Sequence, residues 1–407
     1  MTDAPAPIAE TPRPSGTPGE VFRAFAKLGV TSFGGPIAHL GYFRDELVTR
    51  RRWVDDRGYA DLVALCQFLP GPASSQVGFA LGLLRAGPAG ALAAWLAFTL
   101  PSAILMVAFA AGAGMFGGVV GSGILTGLKI VAVAIVAQAV WGMARSLTPD
   151  ARRAGIAVVA AVIALLAAGS LGQVAAIVLG ACAGLWLCRA DATGDAVALP
   201  LRVSRRAGLI ALGLFVALLI GLPVAAALLS SPALDVADAF FRAGALVFGG
   251  GHVVLPLLEA EVVTGGWVSP EEFLAGYGAA QAMPGPLFTF AAYLGALAAP
   301  GAAGLAYAAL ALVAIFVPGM LLLIGVLPFW NALRARPAAQ AAMRGANAAV
   351  VGILAAALYD PVFVTAIVDS ATFGLALVCF VLLVAWRTPP WIVVLVGAAG
   401  GIALAAL

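Results

Sequence analysis

Charge is scarce in this sequence. Lys, Arg, Asp and Glu make up 10% of the 407 residues, and 63% of the residues are hydrophobic, whereas an average soluble domain is about 25% charged. A net charge of +3, with no Lys/Arg-rich run interleaved with aromatics, gives no indication of a nucleic-acid partner. In lipid, a chain must satisfy its backbone polar groups internally, as helices or as a closed barrel. The long Leu-, Ala- and Val-rich runs favour helices, so an all-α integral membrane protein is predicted.

Several chemical signatures are also missing. The four cysteines form no CxxC pair and each lies in or beside an apolar segment, so we interpret them as small hydrophobic residues and predict no disulfide and no metal site. No phosphate-binding loop of the GxxxxGK type occurs, and no cofactor is predicted. Residues 1–20 are rich in Pro and polar residues and lack an apolar stretch, which predicts a disordered tail and not a signal peptide.

The sequence contains thirteen apolar segments, arranged as a series of six, one additional segment and a second series of six. They lie at 22–48, 60–86, 88–116, 120–146, 154–168, 170–188, 207–230, 236–264, 270–297, 302–328, 341–360, 370–386 and 390–407. About 10–13 membrane segments are therefore expected. We predict a first repeat over 21–188, a linker with an extra transmembrane helix over 189–235, and a second repeat over 236–407.

The two series are related by duplication. "FGGPIAHLGYFRDELV" from Phe33 aligns with "FGGGHVVLPLLEAEVV" from Phe248 at an offset of 215, which also pairs Lys27 with Arg242. At an offset of 214, Trp53 pairs with Trp267 and "QFLPGP" pairs with "QAMPGP". One residue has been lost in the intervening loop, and the chain is predicted to be an internal repeat.

Equivalent loops of the two repeats differ in charge. The loop at 44–58 contains Arg44, Arg50, Arg51, Arg52 and Arg57, whereas its counterpart at 259–272 contains Glu259, Glu261, Glu271 and Glu272 and no Lys or Arg. Cytoplasmic loops are enriched in Lys and Arg. The two loops are therefore expected on opposite sides of the membrane, with the halves as inverted repeats.

Counting segments favours a particular path. If all thirteen segments cross, the basic stretches 145–153, 189–206 and 334–344 lie outside the cell, against the charge rule. If the first two segments of each half enter and return, these stretches lie inside with 44–58, and five crossings still invert the halves. We favour this arrangement, with broken or re-entrant helices at the FGG and PGP motifs.

Proline explains why the PGP segments should break. It removes a backbone donor and clashes with the preceding turn, so Pro70-Gly71-Pro72 cannot continue a helix. Broken backbone at membrane depth is tolerated where it is buried in protein or faces a wet cavity. A half-helix beginning after Pro72 would present free N–H groups and a positive dipole end, with the hydroxyls of Ser74 and Ser75, to an oxyanion. The alternative is a kink that serves packing alone.

Other candidates carry open alternatives. The glycines of the FGG motifs suit close helix contact as well as a turn. His39 and His252 are either hydrogen-bonded structural residues or proton- or substrate-linked ones. Lys27 and Arg242 either bind substrate or set topology, and Lys129 sits inside an apolar run, where a charge usually has a partner or ligand.

The duplicated FGG and PGP motifs resemble those of the chromate ion transporter family in its long, two-domain form, over residues 20–407. The resemblance implies export of chromate from a bacterial cytoplasm across the inner membrane, with chromate resistance and with sulfate as a related anion. It places the family motif on Phe33–Pro36, Gln67, Pro70–Pro72, Phe248–Gly251, Gln281 and Pro284–Pro286. The second half has Gly251 where the first has Pro36, so the two sites need not be equivalent.

Two other functions stay open: a membrane-embedded lipid pyrophosphate phosphatase and a passive oxyanion channel. The phosphatase lacks support, because Gln67 stands where an acid would be needed and no Arg lies between Pro70 and Leu84. The sequence is silent on oligomeric state, and a homodimer is left open. The residues predicted to bind or translocate the anion are Lys27, Phe33, Gly34, Gly35, Pro36, His39, Gln67, Pro70, Gly71, Pro72, Ser74, Ser75, Lys129, Arg242, Phe248, Gly249, Gly250, Gly251, His252, Gln281, Pro284, Gly285 and Pro286.

Overall fold

The structure is a computed structural model that describes residues 16–113, 118–167, 169–188, 203–248, 251–299 and 301–406. Most of the predicted tail, most of the predicted 189–206 linker, and Gly249 and Gly250 lie outside these ranges. Every regular element in the described part of the chain is helical. The predicted all-α fold with two related halves is confirmed.

The described residues of the first half form eight helices. They are α1 (Pro18–Thr31), α2 (Gly35–Phe43, continued by a π-helical turn Arg44–Arg50), α3 (Asp56–Phe68), α4 (73–85), α5 (88–113), α6 (Gly118–Leu147), α7 (Ala151–Leu166) and α8 (Ser170–Leu187). The helical run Ala73–Ala113 counts as two helices because Ala86 and Gly87 leave helical geometry. Helix α1 begins at Pro18, inside the stretch predicted as tail.

The FGG segment folds back on itself. Gly34 and Gly35 have φ of +97° and +78°, values that glycine adopts without steric cost, and the chain reverses there between α1 and α2. Lys27 on the first arm donates to the Glu46 carboxylate on the second at 2.9 Å. In one continuous helix these residues would be about 28 Å apart at 1.5 Å per residue, so the segment is a hairpin.

The PGP segment is a second hairpin beside the first. Helix α3 runs to the break and α4 returns, so that Arg85 at the end of α4 pairs with Glu20 near the start of α1 at 3.1 Å. The indole of Trp53, between the two hairpins, donates to the same Glu20 at 3.2 Å. Both hairpins therefore begin and end at one face of the molecule. The predicted re-entrant arrangement is confirmed.

An extra helix, α9 (Arg205–Leu229), separates the halves, and the second half repeats the first. Its helices are α10 (Pro232–Leu246), α11 (Val254–Val262), α12 (Pro270–Ala282), α13 (Phe290–Leu297), α14 (Ala302–Val326), α15 (Trp330–Arg334), α16 (Pro337–Ala357), α17 (Val364–Ala366), α18 (Ser370–Val384) and α19 (Pro390–Ala406). Only 6% of the most apolar part of α9 is buried, so this helix faces lipid.

The halves exchange helices. Helix α6 of the first half packs on α18 and α19 of the second, and α16 of the second packs on α7 and α8 of the first. Glycines make the close approach possible: Gly127 lies against the backbone of Gly397, and Gly184 against that of Gly345. Neither half has a complete core by itself.

The basic ends meet at one face. Arg152, at the start of α7, donates to the Leu187 carbonyl at the end of α8, and Arg344, near the start of α16, donates to the Cys188 carbonyl. The α5–α6 and α7–α8 pairs each leave this basic face and return to it, and α9 then crosses once. The second half therefore starts from the opposite face, and the repeats are inverted.

Not all crossings are equally long. Five helical runs are long and apolar enough to span a bilayer, at Ala73–Gly112, Gly118–Leu147, Arg205–Leu229, Ala302–Leu333 and Pro337–Ala366. The first of these includes the α4–α5 turn. Helices α7, α8, α18 and α19 are shorter apolar elements. Because α7 with α8, and α18 with α19, form hairpins, their length does not change the inversion of the halves.

The membrane orientation can be tested with one matched pair of cysteines. Thr49 and Thr264 are equivalent across the repeat, both are threonine, and both are exposed. In a background without the four native cysteines, we expect an impermeant thiol reagent added to intact cells to label Thr264→Cys and spare Thr49→Cys. In inverted vesicles the labelling should be exchanged. Labelling of both positions from one side would contradict the inverted model.

Candidate functional site

Pro36 and Gly251, the residues that follow the two FGG motifs, lie against each other. A Cβ atom on Gly251 would lie 3.1 Å from Cγ of Pro36, and these two residues are equivalent across the repeat. The pseudo-twofold axis that relates the halves therefore passes between them. The second half has glycine at this position where the first half has proline. The missing side chain at Gly251 leaves room for the Pro36 ring.

The PGP breaks bond to the opposite half in a reciprocal way. The Gly71 N–H donates to the Val247 carbonyl at 2.7 Å, and the Gly285 N–H donates to the Ser32 carbonyl at 2.9 Å. Each acceptor immediately precedes an FGG motif, and each bond is the symmetry mate of the other. Backbone groups freed by the proline breaks are thus satisfied across the interface between the halves.

Each break also docks on a proline-containing helix of the other half. Gly71 lies against Gly319 of α14, and Gly285 against Ser102 of α5. The Gln76 amide fixes the first contact, because its Nε2 donates to the carbonyls of Pro70 at 3.1 Å and Gly319 at 2.9 Å. The breaks therefore hold the two halves together at membrane depth.

A cavity of about 260 Å³ lies beside this crossing. Its walls come from the first FGG turn, from α6, from the second half next to its FGG and PGP breaks, and from the α18–α19 loop. The lining residues are Gly34, Gly35, Ile135, Gln138, His252, Gln281, Leu383, Arg387, Thr388, Pro389 and Pro390. No Asp or Glu is among these described residues, so the chemistry of the wall suits an anion.

Hydrogen-bonded side chains back one wall of the cavity. The His252 Nδ1 lies 2.8 Å from the Tyr277 hydroxyl, which is fully buried and also contacts the Gln281 side chain. The Gln281 Nε2 makes no hydrogen bond of ordinary geometry with the described protein atoms. A buried amide donor without a partner is costly, and a ligand oxygen in the cavity would satisfy it.

The histidine of the first half, His39, lies in a closely packed environment. His39 is 1% exposed, packs edge-on against Phe98, and places Nδ1 3.4 Å from the Ser74 hydroxyl. Ser75 is buried nearby in sequence, and its hydroxyl has no partner in the described structure. The two histidines therefore occupy different environments, as their lack of alignment predicts.

The cations that the sequence paired across the repeat form symmetric ion pairs. Lys27 pairs with Glu46 at 2.9 Å, and Arg242 pairs with Glu261 at 3.1 Å. Glu46 also binds Arg50 and Arg51, whereas Arg242 also binds Asp238. Glu46 thus pairs with three cations, whereas Arg242 pairs with two carboxylates. Lys27 and Arg242 thus have protein partners, and their role in anion binding stays a prediction.

The remaining predicted residues are spread over the crossing. Of the full set, the cavity brings together Gly34, Gly35, His252 and Gln281. Phe33 packs on Trp391 of α19, Gln67 is exposed on α3, and Lys129 is half-buried on α6 with no ion pair within the described ranges. Buried at or beside the crossing are Gly71, Pro72, Ser74, Ser75, Gly251, Gly285 and Pro286, and partly buried there are Pro36, Pro70, Phe248 and Pro284.

Sequence reasoning missed four polar residues of this region: Gln76, Gln138, Arg387 and Thr388. None belongs to a motif shared by the two halves. One signal was available, since Arg387 and Thr388 interrupt two apolar runs in "AWRTPPW", and an arginine between apolar helices usually has a role.

Comparison with known proteins gives a consistent result. The sequence profile described as "Chromate transporter" matches twice, at residues 19–185 and 234–402. The chain is 30% identical over 382 residues to a chromate transport protein of Cupriavidus metallidurans, covering 92% of this chain and 90% of the relative. It is 29% identical over 404 residues to a chromate transport protein of Pseudomonas aeruginosa, covering 94% and 90%. A probable chromate transport protein of Synechococcus elongatus is 28% identical over 342 residues, with 82% of each chain covered.

No solved structure matches the chain. The family assignment depends instead on the two profile matches, which span most of the sequence and both halves of the fold. Together with the inverted hairpins and the apolar helices, it makes the chain a multi-pass membrane transporter. This protein belongs to the chromate transporter family.

Proposed function

We propose that the protein exports chromate from the bacterial cytoplasm across the inner membrane, that sulfate is a related substrate, and that export confers chromate resistance. The observation that carries the proposal is the polar, carboxylate-free cavity at the crossing of the two inverted halves. The names of the relatives, which are chromate transport proteins, support chromate as the anion.

We propose a carrier mechanism because the two pseudo-equivalent sites differ. The cavity lies between the first FGG turn and the start of α19. Near the start of α8, the helix equivalent to α19, the buried Gln173 amide donates to the Pro256 carbonyl of α11 at 2.9 Å. The start of α19 therefore borders an open cavity, whereas the start of α8 is joined to the other half by a direct hydrogen bond. Exchange of these two states between the proposed repeats 21–188 and 236–407 would alternate access to the centre.

Export needs no coupling ion to be favourable. Moving one charge through 100 mV is worth about 2.3 kcal/mol, so a dianion that leaves a negative interior gains about 4.6 kcal/mol. The membrane potential alone can therefore drive chromate or sulfate outward.

Anion uptake into inverted membrane vesicles tests the proposal. With a potential imposed positive inside, we expect chromate to enter faster than in vesicles lacking the protein, sulfate to compete, and phosphate to compete less. Vesicles preloaded with unlabelled chromate should take up labelled chromate faster, which a carrier does and a channel does not. Uptake of sulfate without chromate would contradict the chromate assignment, and absence of both would contradict the function.

A further inference from the structure

Arg387 is the cation of the cavity and has no carboxylate partner among the described residues. It lies in the loop between α18 and α19, where it is exposed and lines the cavity. Two other basic candidates, Lys27 and Arg242, each have a carboxylate within 3.1 Å, and the third, Lys129, is not among the residues that line the cavity. Arg387 therefore provides a positive charge that the described protein does not neutralise.

The backbone of Arg387 is strained. Its φ is +54°, in the left-handed region that glycine usually occupies at the end of a helix. The flanking N–H groups close the end of α18, with Trp386 donating to Val381 at 3.2 Å and Thr388 to Leu382 at 2.9 Å. Glycine would fit this backbone better. Strain at a residue that lines a cavity points to a role for its side chain.

Two helix N-termini meet at the same cavity. Helix α2 begins at Gly35 and α19 at Pro390, and both residues line the wall. Each N-terminus is equivalent to roughly half a positive charge. One guanidinium and these two N-termini contribute roughly two positive charges, and the C-terminal ends of α12 and α18, at Gln281 and Leu383, offset about one of them.

We propose that this cavity is the loading site for the tetrahedral dianion on the cytoplasmic side, with Arg387 as its cation. This proposal rests on the proposed function. The guanidinium would bind two anion oxygens, and Gln281, Gln138 and Thr388 would donate to the others. A neutral-donor wall with one arginine favours a compact oxyanion over a carboxylate with an apolar tail.

Direct binding tests the site without relying on transport. Thermal unfolding of the purified, detergent-solubilised full chain is followed against sulfate and against chromate, since ligands that bind the folded state stabilise it. Arg387→Gly keeps the left-handed backbone and removes the charge, whereas Arg387→Lys keeps the charge. We expect Arg387→Gly to lower the affinity for both anions by about 10- to 100-fold, which corresponds to the loss of one hydrogen bond to a charged group. Arg387→Lys should lower the affinity less.

Arg52 offers a matched control. It is an exposed arginine with φ of +52° on the basic face, and it does not line the cavity. Arg52→Gly should leave both affinities within about twofold of wild type, because Arg52 makes no contact with an anion in the cavity. A larger loss of affinity requires removal of a hydrogen bond between a charged group and the ligand. Without ligand, Arg387→Gly should unfold at the wild-type temperature or above, so that lost binding is not lost folding.

The outcomes separate the two proposals. The loading site would be overturned if Arg387→Gly bound both anions as tightly as the wild type. It would also be overturned if only Lys129→Gln lost affinity, or if neither anion stabilised the wild type. Binding that depends on Arg387 in a protein that moves no chromate or sulfate in vesicles would leave the site standing and refute the transport function.

Discussion

Replacement of Gly71 by alanine is expected to abolish chromate uptake into inverted vesicles. Gly71 has φ of +120°, and a Cβ atom there would lie 2.9 Å from the Gly319 Cα of the other half. The strained backbone alone costs on the order of 1–3 kcal/mol, and the contact is backbone against backbone, so no side chain can rotate away. The reciprocal bond from Gly71 to Val247 would lengthen, and the halves would separate at their centre.

Gly285→Ala should show the same defect in weaker form. Gly285 has φ of +94°, but its nearest neighbour would be the Ser102 hydroxyl at 2.9 Å, which can turn aside. Gly87→Ala is the control, because Gly87 also has positive φ, +65°, and has no atom near its missing Cβ. Uptake and membrane accumulation are measured for all three. If Gly87→Ala loses as much uptake as Gly71→Ala, backbone strain alone is responsible, and the close contact between the halves has no special role.

Arg242→Gln is expected to prevent accumulation of the protein, whereas Lys27→Gln should accumulate normally. The two residues are equivalent in sequence, but their surroundings are not. Arg242 pairs with both Asp238 and Glu261, whose side chains are 11% and 13% exposed. Removing one partner of a buried ion pair costs roughly 3–5 kcal/mol, less here because Arg242 itself is 28% exposed. Asp238 and Glu261 would both lose the charge of Arg242.

Lys27 is half exposed, and Glu46 keeps Arg50 and Arg51 when Lys27 is lost. Accumulation is measured by quantitative blotting of membranes. The triple variant Arg242→Gln, Asp238→Asn, Glu261→Gln should recover accumulation, because neither carboxylate then remains. Equal accumulation of Lys27→Gln and Arg242→Gln would contradict the charge argument, as would failure of the triple variant to recover.

The repeat predicted the architecture well. The FGG and PGP motifs mark hairpins because glycine with positive φ and proline without an N–H leave the chain few alternatives at those positions. The opposite charges of the 44–58 and 259–272 loops indicated inversion, and the helix connections agree. These features depend on local chemistry, which a sequence shows directly.

The residues of the candidate site could be predicted less completely from the sequence. Lys27 and Glu46 are 19 residues apart, and they meet only because the hairpin places its arms side by side. The alignment paired Lys27 with Arg242 but did not join either to its carboxylate. Arg387 belongs to no repeated motif, and it reaches the centre through the exchange of α18 and α19 onto α6. Long-range packing of this kind leaves no signature in neighbouring residues.

The exchange of helices has a consequence for the origin of the protein. A chain with only one half would leave α6 without α18 and α19, and its PGP break without an acceptor from an opposite FGG segment. A half-length ancestor could complete both only by pairing with a second copy inserted upside down. Gene fusion of two such copies needs an odd number of added crossings to keep the second copy reversed. Helix α9 supplies that one crossing. Although this lipid-facing helix contributes little to the core, it allows both halves to lie in one chain with opposite orientations in the membrane.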